Sequence, residues 1–490
     1  MAKAIMLQGT MSNAGKSFLC AALCRIFKQD GYSAAPFKSQ NMALNSYITS
    51  NGLEIGRAQA MQAEAAGIEP SVLMNPILLK PTTDMGSQVI VNGEVRGNMR
   101  AADYFKYKKT LIPEIEAAYQ QLAKQYDIIV IEGAGSPVEL NLKSDDIVNM
   151  GMAKIADAPV FLVGDIDRGG VFAQLLGTLS LLEQDERERV KGLIVNKFRG
   201  DISLFADGVK ILEEKGKKPV VGVVPYLNCD IEDEDSLSEK LLNKTADEID
   251  IAVIRLPRIS NFTDFDVFGQ FKNVSVRYIE KCSEFGDPDM IIIPGSKSVI
   301  SDMKWLRESG IEAAVKRNAF GGTPIFGICG GYQMLGKLIS DPYSTESGGE
   351  ILGIGLLDMK TVFHTEKTRT RVSGIATADG GDFPALCGAH ADGYEIHMGE
   401  TVGIEKPLLK LSDGRTDGAY KNNIYGSYLH GFFDSEEVVG VIINAISERK
   451  GIAAEKTINR SEYKERQYDL LAEGVRKNID MKKIYEIAAL

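Results

Sequence analysis

Short apolar runs alternate with longer amphipathic stretches along the first half of the chain. Continuous, β-branched runs predict strands that are covered on both faces, as in a parallel sheet. Stretches of helical periodicity between them predict covering helices, for example at 16–29 and 170–182. The pattern therefore predicts a doubly wound α/β domain. Its predicted strands lie at 4–8, 127–131, 159–163, 190–195 and 220–224.

A second α/β series follows an acidic, polar stretch at 228–249, which we interpret as a linker. Its predicted strands are 250–256, 290–293 and 323–328, and its predicted helices are 298–307 and 310–318. Short alternating runs in 350–430 predict antiparallel additions to this second sheet. We therefore expect a first domain over 1–227, the linker, a second domain over 250–440, and a helical tail over 441–490.

Composition narrows the possible partners. The 490 residues carry a formal net charge of −11, which argues against nucleic acid or an anionic membrane as the main partner. No run approaches the roughly 18 apolar residues of a membrane span, and the start lacks the apolar core of a signal peptide. The six cysteines form no CxxC pair, so neither a zinc site nor a disulfide framework is indicated. We expect a soluble, cytoplasmic protein, and the sequence leaves its oligomeric state open.

The first predicted strand leads into the run GTMSNAGKS at 9–17, which precedes a helix. The common phosphate loop has one residue fewer between its glycines; here Thr10 stands where the first glycine would fall. Backbone amides around Thr10, Ser12 and Gly15 are expected to hold phosphate oxygens at the helix N-terminus. Lys16 is expected to reach the β- and γ-phosphates, and Ser17 to bind Mg²⁺. The alternative is a glycine-rich turn that binds no phosphate. It is disfavoured because the segment ends in Gly-Lys-Ser where a helix begins.

Polar residues follow three further strands of the first series. Glu132 ends one strand, and a carboxylate facing the phosphate loop is a good Mg²⁺ ligand, although a plain loop glutamate is the alternative. Asp165 and Arg168 follow the next strand, where metal, phosphate or substrate contacts compete with a structural ion pair. Asn196 ends a further strand, from which its amide is predicted to contact the adenine edge of a nucleotide.

The second domain carries a candidate nucleophile. Cys329 follows a strand in a Gly-x-Cys-x-Gly frame, which is typical of a nucleophile elbow. His430 follows another short apolar strand, in the order found in class I glutamine amidotransferases. Those enzymes usually add a glutamate two residues after the histidine, where this chain has Phe432. Amides of the 294–297 segment, at Gly295, and of Gly330 are predicted to stabilise an oxyanion.

A second histidine motif leaves two interpretations open. Glu395 and His397 alternate on a predicted strand and so share a face. They either line a site or form a structural pair. Because Phe432 replaces the usual acid, the group that orients His430 is not evident, and Glu395 and Asp434 are the first candidates.

The whole chain to about residue 434 resembles the cobyric acid synthases. The resemblance is carried by long runs in family order. They are GTMSNAGKS, PFKSQNMALNS, EIGRAQAMQAEAAG, MNPILLKP, SQVIVNG, EGAGSPVELNL, DIDRGGVFA, NKFRGD, RLPRISNFTDFD, GYEIHMG and SYLHGFFD.

This resemblance implies a dethiobiotin-synthetase-like phosphate-loop domain followed by a flavodoxin-like class I glutaminase domain. It implies amidation of four peripheral carboxylates (b, d, e and g) of adenosylcobyrinic acid a,c-diamide, each using ATP, Mg²⁺ and glutamine through an acyl phosphate. It maps the nucleophile and its histidine to Cys329 and His430, in a family that also lacks the third acid. By resemblance to dethiobiotin synthetase, Lys38 would contact the transferred phosphoryl group.

Three alternatives remain. The a,c-diamide synthases share these domains but amidate other carboxylates, and the runs RLPRISNFTDFD and KSQNMALNS favour cobyric acid synthase. A partitioning-type ATPase switch explains neither Cys329 nor His430. A binding protein with an inactive glutaminase fold is disfavoured by the intact pair.

The corrinoid substrate implied by the resemblance carries several carboxylates, although the chain itself is acidic. We therefore expect a local basic rim to guide the substrate. Its predicted members are Arg57, Lys80, Arg168 and Arg199.

Overall fold

The computed structural model describes residues 2–83, 86–232, 245–455 and 459–490. The chain divides into two compact units. The first contains 1–43, 53–231 and 464–490, and the second contains 44–52 and 232–463. Residues 233–244 of the predicted linker lie outside the described residues. Within the described ranges, no helix is both long enough and apolar enough to cross a membrane.

The first unit is built on a six-stranded parallel sheet; the apolar runs predict five of its strands, and the edge strand Ala34–Phe37 was not predicted. The continuous runs form its strands because both faces are covered by helices, and every residue of strands Ile128–Glu132 and Val160–Asp165 is buried. The strand order is Val220–Pro225, Val190–Phe198, Val160–Asp165, Lys3–Gly9, Ile128–Glu132 and Ala34–Phe37. The helices are Lys16–Gln29, Arg57–Ala66, Ala101–Tyr107, Ile112–Leu122, Met150–Ile155, Val171–Leu181, Gln184–Arg189 and Ala206–Gly216.

A second, small sheet in this unit was not predicted. Its strands are Gln40–Met42, Ile77–Thr83, Gly86–Val91 and Glu94–Arg100. Asn92 and Gly93 connect the last two strands, and both have positive φ, of 50° and 80°. An Asn-Gly pair between apolar runs is a strong hairpin signal, so this turn was the available clue.

The C-terminal tail does not form a separate region, because most of it packs in the first unit. Helices Arg460–Arg476 and Met481–Ala488 place Tyr468, Leu471 and Ile484 in the hydrophobic core of the first unit. Apolar residues at helical spacing need a covering surface, and here the core around helix Lys16–Gln29 provides it. The predicted boundary at 441 therefore does not match the structure, in which helix Glu436–Lys450 belongs to the second unit.

The second unit contains another mainly parallel six-stranded sheet. Its order is Val274–Ile279, Ile249–Ile254, Met290–Ile293, Ile325–Ile328, Ile424–Ser427 and Ala419–Lys421, with only the last strand antiparallel. The accompanying helices are Val299–Glu308, Ile311–Phe320, Gly330–Leu335 and Glu436–Lys450. A short pair, Ile259–Ser260 with Gly295–Ser296, lies outside this sheet.

Within residues 350–430, only the antiparallel strand Ala419–Lys421 and the parallel strand Ile424–Ser427 join the second sheet, so most of the predicted antiparallel additions to it do not form. The long strands Met359–Ala376 and His390–Gly403 pair with each other along most of their length. The backbone hydrogen bonds of both long strands are therefore formed within a separate sheet. The other strands of that sheet are Leu338–Asp341, Gly349–Leu352, Leu409–Leu411 and Thr416–Asp417.

Candidate active site

The phosphate loop has the geometry that its sequence predicts. It runs from strand Lys3–Gly9 into helix Lys16–Gln29, and Gly15 precedes the helix with φ 90°. A Cβ atom on Gly15 would lie 2.1 Å from Asn196 Nδ2, so the position requires glycine for space as well as for conformation. Lys16 Nζ donates hydrogen bonds to the carbonyls of Met11, at 3.1 Å, and Gly135, at 3.4 Å.

The side chains of Asn196 and Lys197 bind the backbone of this loop. Its Nδ2 donates to the Ala14 carbonyl at 2.9 Å, and Lys197 Nζ donates to the Asn13 carbonyl at 2.7 Å. Lys197 Nζ also lies 3.1 Å from the buried Asp165 carboxylate. The Asn196 amide thus donates one hydrogen bond to the loop backbone, and its contact with an adenine edge stays a prediction.

The remaining predicted loop residues differ in their surroundings. Thr10 Oγ1 donates to Gln174 Oε1 at 3.1 Å, which ties the loop to helix Val171–Leu181. Ser12 is exposed.

A buried polar cluster surrounds Glu132. Lys38 Nζ lies 2.8 Å and Ser17 Oγ 3.0 Å from its Oε1, and Gln62 Nε2 donates to its Oε2 at 2.6 Å. Glu132 is 1% exposed and Lys38 is 5% exposed. Lys38 and the two predicted metal ligands, Ser17 and Glu132, are therefore brought together, whereas Gln62 was missed by the sequence reasoning.

The donor atoms of this cluster fit one type of metal ion. A hydroxyl and a carboxylate oxygen are the hard ligands that Mg²⁺ prefers. Among the described residues, no group of three or more His, Cys, Asp or Glu could hold a metal ion on its own. A Mg²⁺ ion at Ser17 and Glu132 would thus share its coordination with phosphate oxygens and water.

Two of the four residues predicted for the basic rim are buried, so they form no exposed rim, and their contact with substrate stays a prediction. Lys80 is buried and its Nζ lies 2.9 Å from Glu54 Oε1, whereas Arg57 is buried and lies 3.9 Å from Glu64. Sequence shows the charge of a side chain but not its burial.

The other two members of the predicted rim are exposed. About half of the Arg168 side chain is accessible, and it lies 3.7 Å from Asp165. Arg199 binds Asp167 at 2.6 Å and stacks over the Tyr226 ring at 3.8 Å. Contact of either with substrate stays a prediction.

In the second unit, Cys329 occupies a strained elbow between strand Ile325–Ile328 and helix Gly330–Leu335. Its φ of 51° and ψ of −106° are rare for a non-glycine residue and typical of functional sites. The Cys329 amide donates to the Ser427 carbonyl at 2.8 Å. A Cβ atom on Gly331 would lie 1.9 Å from the Ile293 carbonyl oxygen, so only glycine fits at this position, two residues after the thiol.

His430 is the partner of this thiol, and Asp264 orients it. His430 is 1% exposed, and its Nδ1 lies 2.7 Å from Asp264 Oδ2. Burial alone would lower the pKa of His430, but the Asp264 carboxylate and hydrogen-bonded Cys329 together raise this pKa to about 10. The imidazolium is therefore favoured beside the thiol.

Neither acid first suggested for this role fills it. Glu395 binds Arg415 through both oxygens, at 2.6 and 3.3 Å, and lies 3.9 Å from His397. Asp434 lies 3.0 Å from Arg460. Asp264 lies in the 3₁₀ segment Phe262–Gln270, and a carboxylate inside the aromatic run FTDFDVF was the signal that pointed to a buried role.

The segment predicted to bind an oxyanion lies against the elbow. A Cβ atom on Gly295 would lie 3.4 Å from His430 Cε1, and one on Gly330 would lie 2.7 Å from the Ser296 amide nitrogen. The structure thus brings Gly295 and Gly330 together near the thiol, and it adds Ser296, which the sequence reasoning did not name.

A cavity of about 950 Å³ lies beside this centre. Its lining includes Tyr332, Glu395, His397, Arg415 and Tyr428. The Ile396 carbonyl, between two of these residues, lies 3.7 Å from the Cys329 sulfur. The cavity is therefore adjacent to the thiol and carries both charge signs, as a zwitterionic amino acid requires.

Comparisons with known proteins agree with this two-site arrangement. Residues 5–239 match the family described as "CobQ/CobB/MinD/ParA nucleotide binding domain", and residues 250–438 match "CobB/CobQ-like glutamine amidotransferase domain". A protein named cobyric acid synthase from Lachnoclostridium phytofermentans is 59% identical, with 99% of each chain covered. The chain belongs to the cobyric acid synthase family.

Other relatives extend this result. The cobyric acid synthase of Ruminiclostridium cellulolyticum is 56% identical over 99% of this chain and 97% of its own. A solved structure titled "Structure of PurLQS from Thermotoga maritima" matches 41% of this chain and 99% of its own, with 18% identity and a TM-score of 0.31. Membership of the cobyric acid synthase family accounts for both the phosphate loop and the elbow thiol in one polypeptide.

Proposed function

We propose that this protein is the ATP- and glutamine-dependent ligase that amidates peripheral carboxylates of a corrinoid during cobalamin biosynthesis. Its reaction would convert adenosylcobyrinic acid a,c-diamide to adenosylcobyric acid. The observation that carries this proposal is the presence, in one chain, of a Cys329–His430–Asp264 arrangement and a phosphate loop beside Lys38 and Glu132. The first is suited to release ammonia and the second to activate a carboxylate.

In the glutaminase step, the Cys329 thiolate attacks the side-chain amide carbon of glutamine. His430 holds the proton taken from the thiol and delivers it to the departing nitrogen, so that ammonia leaves and a thioester remains. Water then hydrolyses the thioester to glutamate, with His430 accepting and returning a proton. Amides of Gly330 and the Gly295–Ser296 strand, which lie close together near this pair, would stabilise the oxyanion of both steps.

In the ligase step, a substrate carboxylate oxygen attacks the γ-phosphorus of ATP, giving an acyl phosphate and ADP. Ammonia then attacks the acyl carbon, an amide forms, and inorganic phosphate leaves. Lys16 and Lys38 are the cations available to stabilise the transferred phosphoryl group. Ser17 and Glu132 would hold Mg²⁺, which neutralises charge on the phosphate oxygens when bound.

One phosphate site serves several carboxylates in this reaction. The corrinoid must therefore dissociate or turn between amidations, and we expect partially amidated corrinoids to accumulate in solution when enzyme is limiting. Finding only starting material and final product at every time point would contradict this expectation.

A direct assay tests the function. Purified protein is incubated with ATP, Mg²⁺, glutamine and either adenosylcobyrinic acid a,c-diamide or cobyrinic acid, and the products are identified by mass spectrometry. Stepwise amidation of the diamide supports the proposal. Amidation of cobyrinic acid alone would instead assign the chain to a,c-diamide synthesis.

A further inference from the structure

The first unit contains a cavity of about 420 Å³ that the nucleotide site does not account for. It is lined by the small sheet, by helix Ala101–Tyr107 with its continuation, and by the 134–149 segment. Most of its large side chains are apolar or aromatic. They are Met42, Leu79, Met99, Tyr104, Phe105 and Leu142.

This cavity shares a wall with the phosphate site. Ala134, Ser136 and Asn149 line it. Asn149 fixes that wall, because its Nδ2 donates to the carbonyls of Ala134, at 2.7 Å, and Ser136, at 3.2 Å. Gly135 lies between the two, and its carbonyl accepts a hydrogen bond from Lys16 at 3.4 Å. A ligand in the cavity would thus lie within reach of the phosphoryl group that Lys16 binds.

The mouth of the cavity exposes apolar surface. Met42 is 60% and Leu142 is 39% exposed, although both line the cavity. Clustered exposed apolar side chains mark ligand or partner sites more often than ordinary surface. Charged side chains of both signs accompany them. Lys108 lies 4.3 Å from the centre of the Phe105 ring, and Lys143 also lines the cavity while pairing with Glu183 and Glu186. The carboxylates in the lining are Glu139 and Asp146.

We propose that this cavity seats an apolar edge of the corrin macrocycle and directs one peripheral carboxylate to the phosphate loop. This inference rests on the proposed function. The occupant is a ring with apolar, methyl-bearing edges, which matches the apolar floor, and with carboxylate arms, one of which would extend to the adjoining phosphate site. A volume of about 420 Å³ holds an edge of such a ring and not the whole of it.

Partial enclosure also suits a substrate that is amidated at several positions. A site enclosing the entire macrocycle would fix one arm beside the phosphate. A site that holds only an edge lets the ring leave and return with a different arm directed inward. Apolar contacts carry little directional preference, so different edges of the ring are accepted.

Two substitutions at exposed positions of the lining test the assignment without removing buried packing. Met42→Glu and Leu142→Glu lie on separate elements, and each places a carboxylate where the apolar edge and the acidic arms would lie. Leu204→Glu is the matched control, because Leu204 is 84% exposed in the same unit and does not line the cavity. Thermal unfolding of all three variants verifies their fold.

The readout is corrinoid binding by equilibrium dialysis with adenosylcobyrinic acid a,c-diamide, in the absence of glutamine and ATP. Both lining variants are expected to raise the corrinoid Kd about tenfold or more, with the KM for ATP and the glutaminase rate unchanged, whereas Leu204→Glu binds as wild type. If the corrinoid Kd is unchanged in both folded variants, the assignment of the cavity is overturned. The proposed function still holds in that case, provided that the wild-type protein amidates the corrinoid. Failure of the wild-type protein to amidate the corrinoid overturns the function itself.

Discussion

Nδ1 of His430 lies 2.7 Å from Oδ2 of Asp264, a residue 166 positions earlier in the chain. Both residues are buried, and His430 stacks on Tyr394 at 5.3 Å between ring centres. An imidazole held in this way has one tautomer and one orientation, so its Nε2 is directed to the thiol side. Phe432, two residues after the histidine, is buried and apolar, so it cannot act as the orienting acid. Asp264, from a distant part of the sequence, provides the carboxylate instead.

Replacing Asp264 by Asn should impair glutamine hydrolysis. The neutral amide neither stabilises the imidazolium nor fixes the tautomer, and loss of the equivalent acid in a serine protease costs up to about 10⁴-fold in kcat. We expect a fall of at least about 100-fold in glutaminase kcat with little change in KM, measured by glutamate release. Amidation driven by ammonium salt should be retained.

Asp434→Asn is the matched control for this variant. Asp434 binds Arg460 and not the imidazole. Its replacement should leave glutamine hydrolysis in the folded variant within about twofold of wild type, because it removes no contact of the imidazole. A larger loss from Asp434→Asn than from Asp264→Asn would reverse the assignment of the orienting acid.

The stability of the second unit should depend on pH through His430. Its pKa is raised to about 10 in the folded protein from an ordinary 6.5. The resulting stabilisation is fully present below pH 6.5 and is lost as the pH rises through about 10. Thermal unfolding of wild type and Asp264→Asn should therefore differ most near pH 6, and the difference should shrink towards pH 10. A difference that does not vary with pH would exclude this linkage.

Lys38→Met should abolish amidation with either nitrogen donor while leaving glutamine hydrolysis intact. The substitution removes a cation from the phosphoryl site and leaves Glu132 buried without that partner, which typically costs about 3–5 kcal/mol. The double variant Lys38→Met/Glu132→Gln should recover much of this loss in the free energy of unfolding without recovering activity. Recovery of amidation in the double variant would show that the pair is only structural.

Gly15→Ala should weaken nucleotide binding strongly. The added Cβ atom meets Asn196 Nδ2 at 2.1 Å, and the φ of 90° is strained for alanine. We expect the KM for ATP to rise at least about tenfold, as a cost of 1.4 kcal/mol or more implies. Gly177→Ala is the control, because an added Cβ atom there meets no atom within 4 Å. Equal effects of the two variants on ATP affinity would contradict the loop geometry.

The parallel sheets, the phosphate loop and the elbow thiol were predictable because each is encoded in a short contiguous segment. Asp264 was not, since its partner is remote in the sequence and only folding joins them. Burial limited the prediction of charged residues in the same way. Lys80 was expected at an exposed rim, yet a hydrogen bond to Glu54 holds it inside. The corrections therefore fall on contacts made by long-range packing.

The same distinction explains the error over residues 350–430. Alternating runs predict strands correctly, but they do not state which sheet each strand joins. Strand Met359–Ala376 pairs with His390–Gly403 because a local hairpin closes at a lower entropic cost than a distant pairing.

In the proposed function, Cys329 supplies ammonia to a separate, ATP-dependent centre. Cys329→Ala should be compared with Cys387→Ala, whose exposed thiol lies outside the elbow, in assays of ATP-dependent corrinoid amidation with glutamine and then with ammonium salt. We predict that Cys329→Ala loses amidation with glutamine and keeps it with ammonium, whereas Cys387→Ala keeps both. Undiminished use of glutamine by Cys329→Ala, or loss of the ammonium-driven reaction in the folded variant, would contradict the claim.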